Sequence, residues 1–146
     1  MTQKSIFIFL TIISLVWSEE IINFKSANPF SFNDIITDFS NQEEQDVSGI
    51  LRLPDDVGDK LVPLVIGVAG SKGWGEHHLE YLKLYRNIGI ATFELQSFKS
   101  RDISSTVGTQ VEVTHAMMIL DSYRAFESLS SHPNIDIDNV GITGWS

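Results

Sequence analysis

Leu61 to Gly75 reads LVPLVIGVAGSKGWG. Its first eight residues, Leu61–Val68, are nearly all apolar and rich in β-branched side chains, as expected of a strand buried on both faces of a parallel sheet. They run into Ala69-Gly70-Ser71-Lys72-Gly73-Trp74-Gly75, a loop with three glycines in six residues. Glu76 to Asn87 follows with helical spacing, Leu79, Leu82, Leu84 and Tyr85 offering an apolar side, and Asn87-Ile88-Gly89 ends it. Ile90–Leu95 is then a second strand. Strand, glycine loop, helix and strand in that order make one unit of an α/β sheet.

Downstream, the pattern repeats. Ser97 to Gly108 is polar and loop-like, and a long helix is expected from about Thr109 to Ser131. Ala116, Ile119, Leu120, Tyr123 and Phe126 fall at spacings of three and four along it. His132-Pro133-Asn134 stops that helix, Ile135–Asn139 forms a turn, and Val140–Thr143 is a third short strand. Together these segments have the grammar of a doubly wound α/β sheet.

Upstream, Val47–Leu53 (VSGILRL) reads as a strand ending at Pro54, followed by a turn over Asp55–Asp59. Asn41–Asp46 is polar and acidic, a solvated loop rather than a metal site, since nothing spaces its carboxylates around a cation. Residues 19–46 hold two short apolar patches, Ile21–Phe24 and Phe30–Phe39, parted by Ala27-Asn28-Pro29.

The chain of 146 residues has room for one ordinary domain, and its 42% hydrophobic and 20% charged content is that of a globular protein. Ten basic residues stand against 19 acidic ones, a net charge of −9. Nucleic-acid binding needs clustered basic residues, and none are clustered here. The absence of cysteine excludes a thiol nucleophile, a disulfide framework and cysteine-ligated zinc within the chain.

The first residues are a separate object. Lys4 precedes the apolar run Ile6–Val16, which ends at Trp17-Ser18 and the acidic pair Glu19-Glu20. The run is short for a membrane span, which needs about 20 apolar residues. A buried N-terminal strand or helix is the plainer alternative. The abrupt acidic end favours a signal peptide over residues 1–18, cleaved after Ser18, with export to the periplasm or outside as the expected localisation and no membrane contact beyond it. The expected organisation is thus a signal at 1–18, an N-terminal extension with a first strand region at 19–46, and a main α/β part at 47–146.

The last six residues, Gly141-Ile142-Thr143-Gly144-Trp145-Ser146 (GITGWS), set a Gly-x-Ser behind a strand. G-x-S arises by chance on the order of once in a chain this long, so context must decide. Here it stands at the carboxyl end of a strand after a crossover helix, where open α/β sheets place their sites. In a nucleophile elbow, G-x-S-x-G, the serine sits on a strained strand-to-helix turn. Glycine is expected two residues before it because a side chain there would collide with neighbouring elements. The loop Ala69–Gly73 can supply a backbone donor to a developing oxyanion, with Gly70 letting the chain turn its N–H groups inward. A phosphate loop or a bare tight turn is the alternative, but G-x-G-x-x-G is absent and no GK[ST] follows.

These residues resemble the dienelactone hydrolase-like branch of the α/β-hydrolases. The likeness runs from about Ser26 to Ser146 and is carried by SANPFSFNDI, SGILRLP, GVAGSKGWGEHH, QSFKSR, STVGTQ, AMMILDSYRAF and HPNIDIDNVGITGWS, in that order. It implies the N-terminal part of an α/β-hydrolase fold, and a serine hydrolase of a small-molecule carboxylic ester or lactone acting through an acyl-enzyme. It places the nucleophile at Ser146 and an oxyanion donor at the backbone N–H of Ser71, and calls for no metal or organic cofactor. Relatives usually carry His-Gly where this chain has Ala69-Gly70, Asp-Ser-Phe where it has Gln96-Ser97-Phe98, and Gly where it has Lys72. A peptidase of the same fold and a non-catalytic binding protein on a hydrolase scaffold are the competing readings.

A serine needs a base oriented by a carboxylate, and in this fold both follow the nucleophile in chain order. Residues 1–146 by themselves are therefore expected to be inactive. None of the four histidines fits as the base. His77-His78 opens a helix beside the site and suits a solvent-facing cap or a substrate loop, His115 suits a surface or an interface, and His132 can meet terminal helix carbonyls. Trp74 and Trp145 flank the expected cleft and either line an acyl pocket or pack.

Overall fold

The computed structural model describes residues 19–146. The signal peptide expected over residues 1–18 lies outside the described residues. Five strands, β1 (Glu19–Ala27), β2 (Glu44–Arg52), β3 (Val62–Val68), β4 (Ala91–Leu95) and β5 (Ile135–Gly144), form one sheet in the order β1-β2-β4-β3-β5. Three α-helices accompany them, α1 (Phe32–Thr37), α2 (Glu76–Asn87) and α3 (His115–Leu129). β3 pairs in parallel with both β4 and β5, whereas β1–β2 and β2–β4 are antiparallel.

The unit read from Leu61–Leu95 is present as β3, α2 and β4, and α2 spans Glu76–Asn87 as its sequence predicts. From β4 the chain crosses over β3 through α3 to reach β5 on the other side. The β3–β4 connection thus runs one way across the sheet and the β4–β5 connection runs back past it, so β3 and β5 lie side by side with a crevice outside their carboxyl ends.

Strand alternation divides the sheet into two faces. Ala91, Phe93 and Leu95 of β4 join Val47, Leu51, Leu64 and Ile66 against Ala125 and Leu129 of α3 in one buried apolar cluster. The other face of β4 carries Thr92 and Glu94, both buried, and lies under α2. There the Arg86 guanidinium donates to the Thr92 hydroxyl at 2.8 Å.

Several expectations are corrected. β2 begins at Glu44 rather than Val47, so a boundary between residues 46 and 47 falls inside a strand. Its early residues pair with the end of β1, where Lys25 bridges Glu44 and Asp46 at 2.8 Å each, a cross-strand neutralisation that lets an acidic run extend. On α2 only His78 and Leu82 are buried, while Leu79 and Leu84 are exposed. α3 begins at His115, six residues later than expected, because Thr114 caps it by accepting the Met117 N–H at 3.2 Å. Its buried face holds Ala116 and Leu120 as expected, but Ile119 and Tyr123 are exposed and the fully buried Asp121 takes the inner side. Ile135 already pairs with Val62, and the pairing resumes at Val140–Leu64, so the expected turn is a four-residue excursion, Asp136–Asn139, within β5.

Candidate active site

Ser146 follows the carboxyl end of β5, next to the loop that leaves β3. The Trp145 N–H donates to the Val68 carbonyl at 3.2 Å, which carries the β3–β5 ladder one residue past the strand. Immediately beyond, Gly70 lies against the chain at the serine. A Cβ built on Gly70 would stand 2.7 Å from the Trp145 carbonyl oxygen and 3.1 Å from the Ser146 Cα. Gly70 is not among the residues with positive φ. Its role is close approach, which corrects the expectation that conformational freedom was needed there.

The expectation for Gly144 is corrected too. A Cβ there would meet nothing nearer than the Val68 oxygen at 3.9 Å, an ordinary contact, so among the described residues no collision demands a glycine. The tight spot lies on the partner loop instead.

The loop itself is a four-residue turn. The Gly73 N–H donates to the Gly70 carbonyl at 2.9 Å, and Gly73 adopts φ 72°, a left-handed conformation suited to glycine. The peptide joining Gly70 to Ser71 is planar and trans, so the Ser71 N–H points away from the direction in which the Gly70 carbonyl is held. The Ser71 carbonyl accepts from the Thr106 N–H at 2.8 Å and from the Ser105 hydroxyl at 3.1 Å.

A cavity of about 230 Å³ opens between these elements. The β3 loop contributes Val68 to Ser71, and the β5 end contributes Gly144, Trp145 and Ser146. The third wall is the segment before and at the start of α3, with Thr106, Gln110, Val113, His115 and Met118. Ser146, Ser71 and Trp145 therefore meet at one site. Trp74 stands outside its lining: its ring packs edge-on to Trp145 with centroids 5.6 Å apart, and its indole N–H donates to the Leu95 carbonyl at 2.9 Å. Gly67 makes room for that pair, since a Cβ there would lie 2.8 Å from Trp74 and 3.3 Å from Trp145.

His78 completes the aromatic group. Its ring lies 5.1 Å from that of Trp145, and its Nδ1 accepts the Gly75 N–H at 3.0 Å, capping α2 from within. Burial, and secondarily the adjacent His77, lowers the His78 pKa below the ordinary histidine value. The bond to Nδ1 fixes the proton of the neutral ring on Nε2. His115, read from sequence as a surface or interface residue, is exposed and borders the cavity. His132 meets no helix carbonyl through its ring; Nε2 lies 3.1 Å from Glu20 and Nδ1 accepts the Asn134 N–H, before the start of β5 and far from Ser146. Ala69 lines the cavity, whereas Gln96 turns back along β4 to donate to Glu94 at 2.6 Å. Among the described residues no group of three metal-ligating side chains is present.

Sequence reasoning missed the third wall. Thr106 and Gln110 fall in STVGTQ, whose composition says only loop, and their place at the cavity depends on how that loop is tied down. One local signal exists in the backbone: Gln110 takes φ 55°, uncommon for a residue with a side chain.

A strand order of 1-2-4-3-5 with an antiparallel second strand is that of the α/β-hydrolase fold. Within it, the chain has the fold of dienelactone hydrolase-like proteins. A dienelactone hydrolase-like promiscuous phosphotriesterase from metagenomic libraries superposes with a TM-score of 0.52 at 16% identity, over 86% of this chain and 49% of that one. A Klebsiella pneumoniae protein provisionally named a dienelactone hydrolase gives 0.56 at 17%, over 86% and 50%. One of two fungal esterases from Rhizomucor miehei gives 0.50 at 16%, over 86% and 34%. The chain spans about half the length of the first two structures. No protein-family model and no curated sequence matches it.

Proposed function

We propose that the protein carrying this chain is a serine hydrolase of the dienelactone hydrolase type, acting on a carboxylic ester or lactone. The observation that carries the reading is the seat of Gly70 against Trp145 and Ser146, which puts the glycine loop beside the serine with a cavity between them. In the proposed reaction the Ser146 Oγ attacks the carbonyl carbon and its proton passes to a general base. The tetrahedral oxyanion is met by the Ser71 N–H, and collapse expels the alcohol with that proton, leaving an acyl-enzyme that water hydrolyses. Among the described residues the cavity lining holds one histidine, His115, and no carboxylate to orient it; in this fold the base and its carboxylate follow the nucleophile in chain order. Removing one oxyanion donor of this kind typically slows acylation by about 10²–10³-fold.

The test is covalent labelling of the protein expressed from its full reading frame with a fluorophosphonate probe. Labelling that maps to Ser146 and vanishes in Ser146→Ala is expected, together with turnover of short ester substrates. A folded protein that takes no label overturns the reading in favour of a non-catalytic binder. Efficient amide cleavage with negligible ester turnover would instead make it a peptidase.

A further inference from the structure

We propose that Ser105 is a positioning residue for the oxyanion turn, held in place by the buried Arg101–Asp121 pair; the idea rests on the function proposed above. In a four-residue turn the central peptide is the one that can rotate, and the two commonest turn types differ by that rotation. In the turn Gly70–Gly73 the central carbonyl is that of Ser71. Two groups from one neighbouring loop hold it, the Thr106 N–H and the Ser105 hydroxyl. The Ser105 oxygen also accepts the Val107 N–H at 3.2 Å, which fixes the direction in which its own proton points. With the Ser71 carbonyl held, the backbone angle on the far side of Ser71 is fixed. The Ser71 N–H itself belongs to the preceding peptide, whose Gly70 carbonyl accepts from Gly73 at 2.9 Å; the clamp on the Ser71 carbonyl anchors the turn that carries this donor against the neighbouring loop.

The loop that supplies the clamp, residues 102–114, is tied at its start to Ala27 and Asn28 through Arg101 and at its end to Pro29. At its start, the five N–H groups of Arg101 are all engaged. Nε donates to the Asn28 side chain at 2.7 Å, Nη1 to the Ser97 carbonyl and Asp121, and Nη2 to the Ala27 carbonyl and Asp121. Asp121 is fully buried and also accepts the Ser26 hydroxyl at 2.5 Å. At the loop's end, the Thr114 hydroxyl donates to the Pro29 carbonyl at 3.0 Å. Ala27, Asn28 and Pro29 thus brace both ends of a segment whose middle grips the turn. A buried ion pair is weak evidence for net stability, and here its directional bonds fix where the loop holding Ser71 begins.

Ser105 is exposed, so its hydroxyl can be removed without opening the core. In the protein expressed from its full reading frame, Ser105→Ala is expected to lower kcat by about three- to ten-fold, the range of one lost hydrogen bond, with KM and the melting temperature nearly unchanged. Ser105→Thr, which keeps the hydroxyl, should restore kcat. Arg101→Lys should lower kcat in the same direction, and its effect should be less than multiplicative with Ser105→Ala. Amide exchange gives a readout independent of turnover: exchange at Thr106 and Gly73 should quicken in Ser105→Ala. Unchanged kcat with unchanged exchange at those amides overturns the inference. A wild-type protein that neither labels nor turns over, yet shows the faster exchange in the variant, keeps the clamp and overturns the function instead.

Discussion

The two faces of strand β4 are built from opposite chemistry. On the α3 face, Phe93 is fully buried with Leu51, Leu64, Leu95 and Leu129 around it, and its ring lies over Gly49 so closely that a Cβ there would be 2.1 Å away. On the α2 face, one residue along, Glu94 accepts from Arg52 and from Gln96 at 2.6 Å each, and Arg52 also reaches Glu19 at 2.8 Å. The first face is held by area removed from water, which is non-directional and large. The second is held by paired charges whose attraction is largely offset by their own desolvation. The contrast places the larger apolar cluster on the α3 side and the charged network on the α2 side.

Three variants sharpen or break that contrast. Phe93→Ala should have the largest effect, a loss of about 3–5 kcal/mol in urea unfolding, because it empties the centre of the apolar cluster. Glu94→Ala should cost less, about 1–3 kcal/mol, by leaving the Arg52 guanidinium and Gln96 amide without their acceptor. The double variant Arg52→Met with Glu94→Leu should recover part of that loss, since the Arg52 and Glu94 charges are removed together while the Gln96 amide still lacks its acceptor. If the double variant unfolds as readily as Phe93→Ala, that ranking of the two faces is wrong.

The smallest effect expected is one of pH. His78 is buried and its pKa is lowered, so the unfolded chain takes up the proton first as pH falls. The stabilisation is fully present above the unfolded histidine value of about 6.5 and is lost as pH drops below it. Thermal melting in His78→Gln should show a weaker decline over that window than wild type. An identical slope would mean that protonation of His78 is not coupled to folding.

The segment Leu61–Leu95 could be read from its residues because each signal there is local. A continuous apolar run, glycines, a helix-length polar stretch and a second apolar run meet no long-range competitor, and α2 has its expected ends. Elsewhere distant partners decided. The acidic residues Glu44 and Asp46 belong to a strand because Lys25 and β1 lie opposite them. The inner side of α3 turned toward Asp121, against its apolar pattern, because Arg101 and Ser26 meet it there from 20 and 95 residues away in the chain. Glycine at position 70 was expected for its backbone freedom, but what requires it is the main chain at Trp145–Ser146 pressing on it.

Taken alone, the sequence determined the alternation of strands and helices, the glycine loop after β3 and the serine placed behind β5, since hydrophobic period and turn chemistry act over a few residues. Tertiary structure alone decided that the loop and the serine touch, that Thr106 and Gln110 wall the cavity between them, and that Ser105 and Thr106 hold the Ser71 carbonyl. Those contacts join residues 34 to 76 positions apart, and pairing over such separations depends on sheet order and loop anchoring, which no local pattern records.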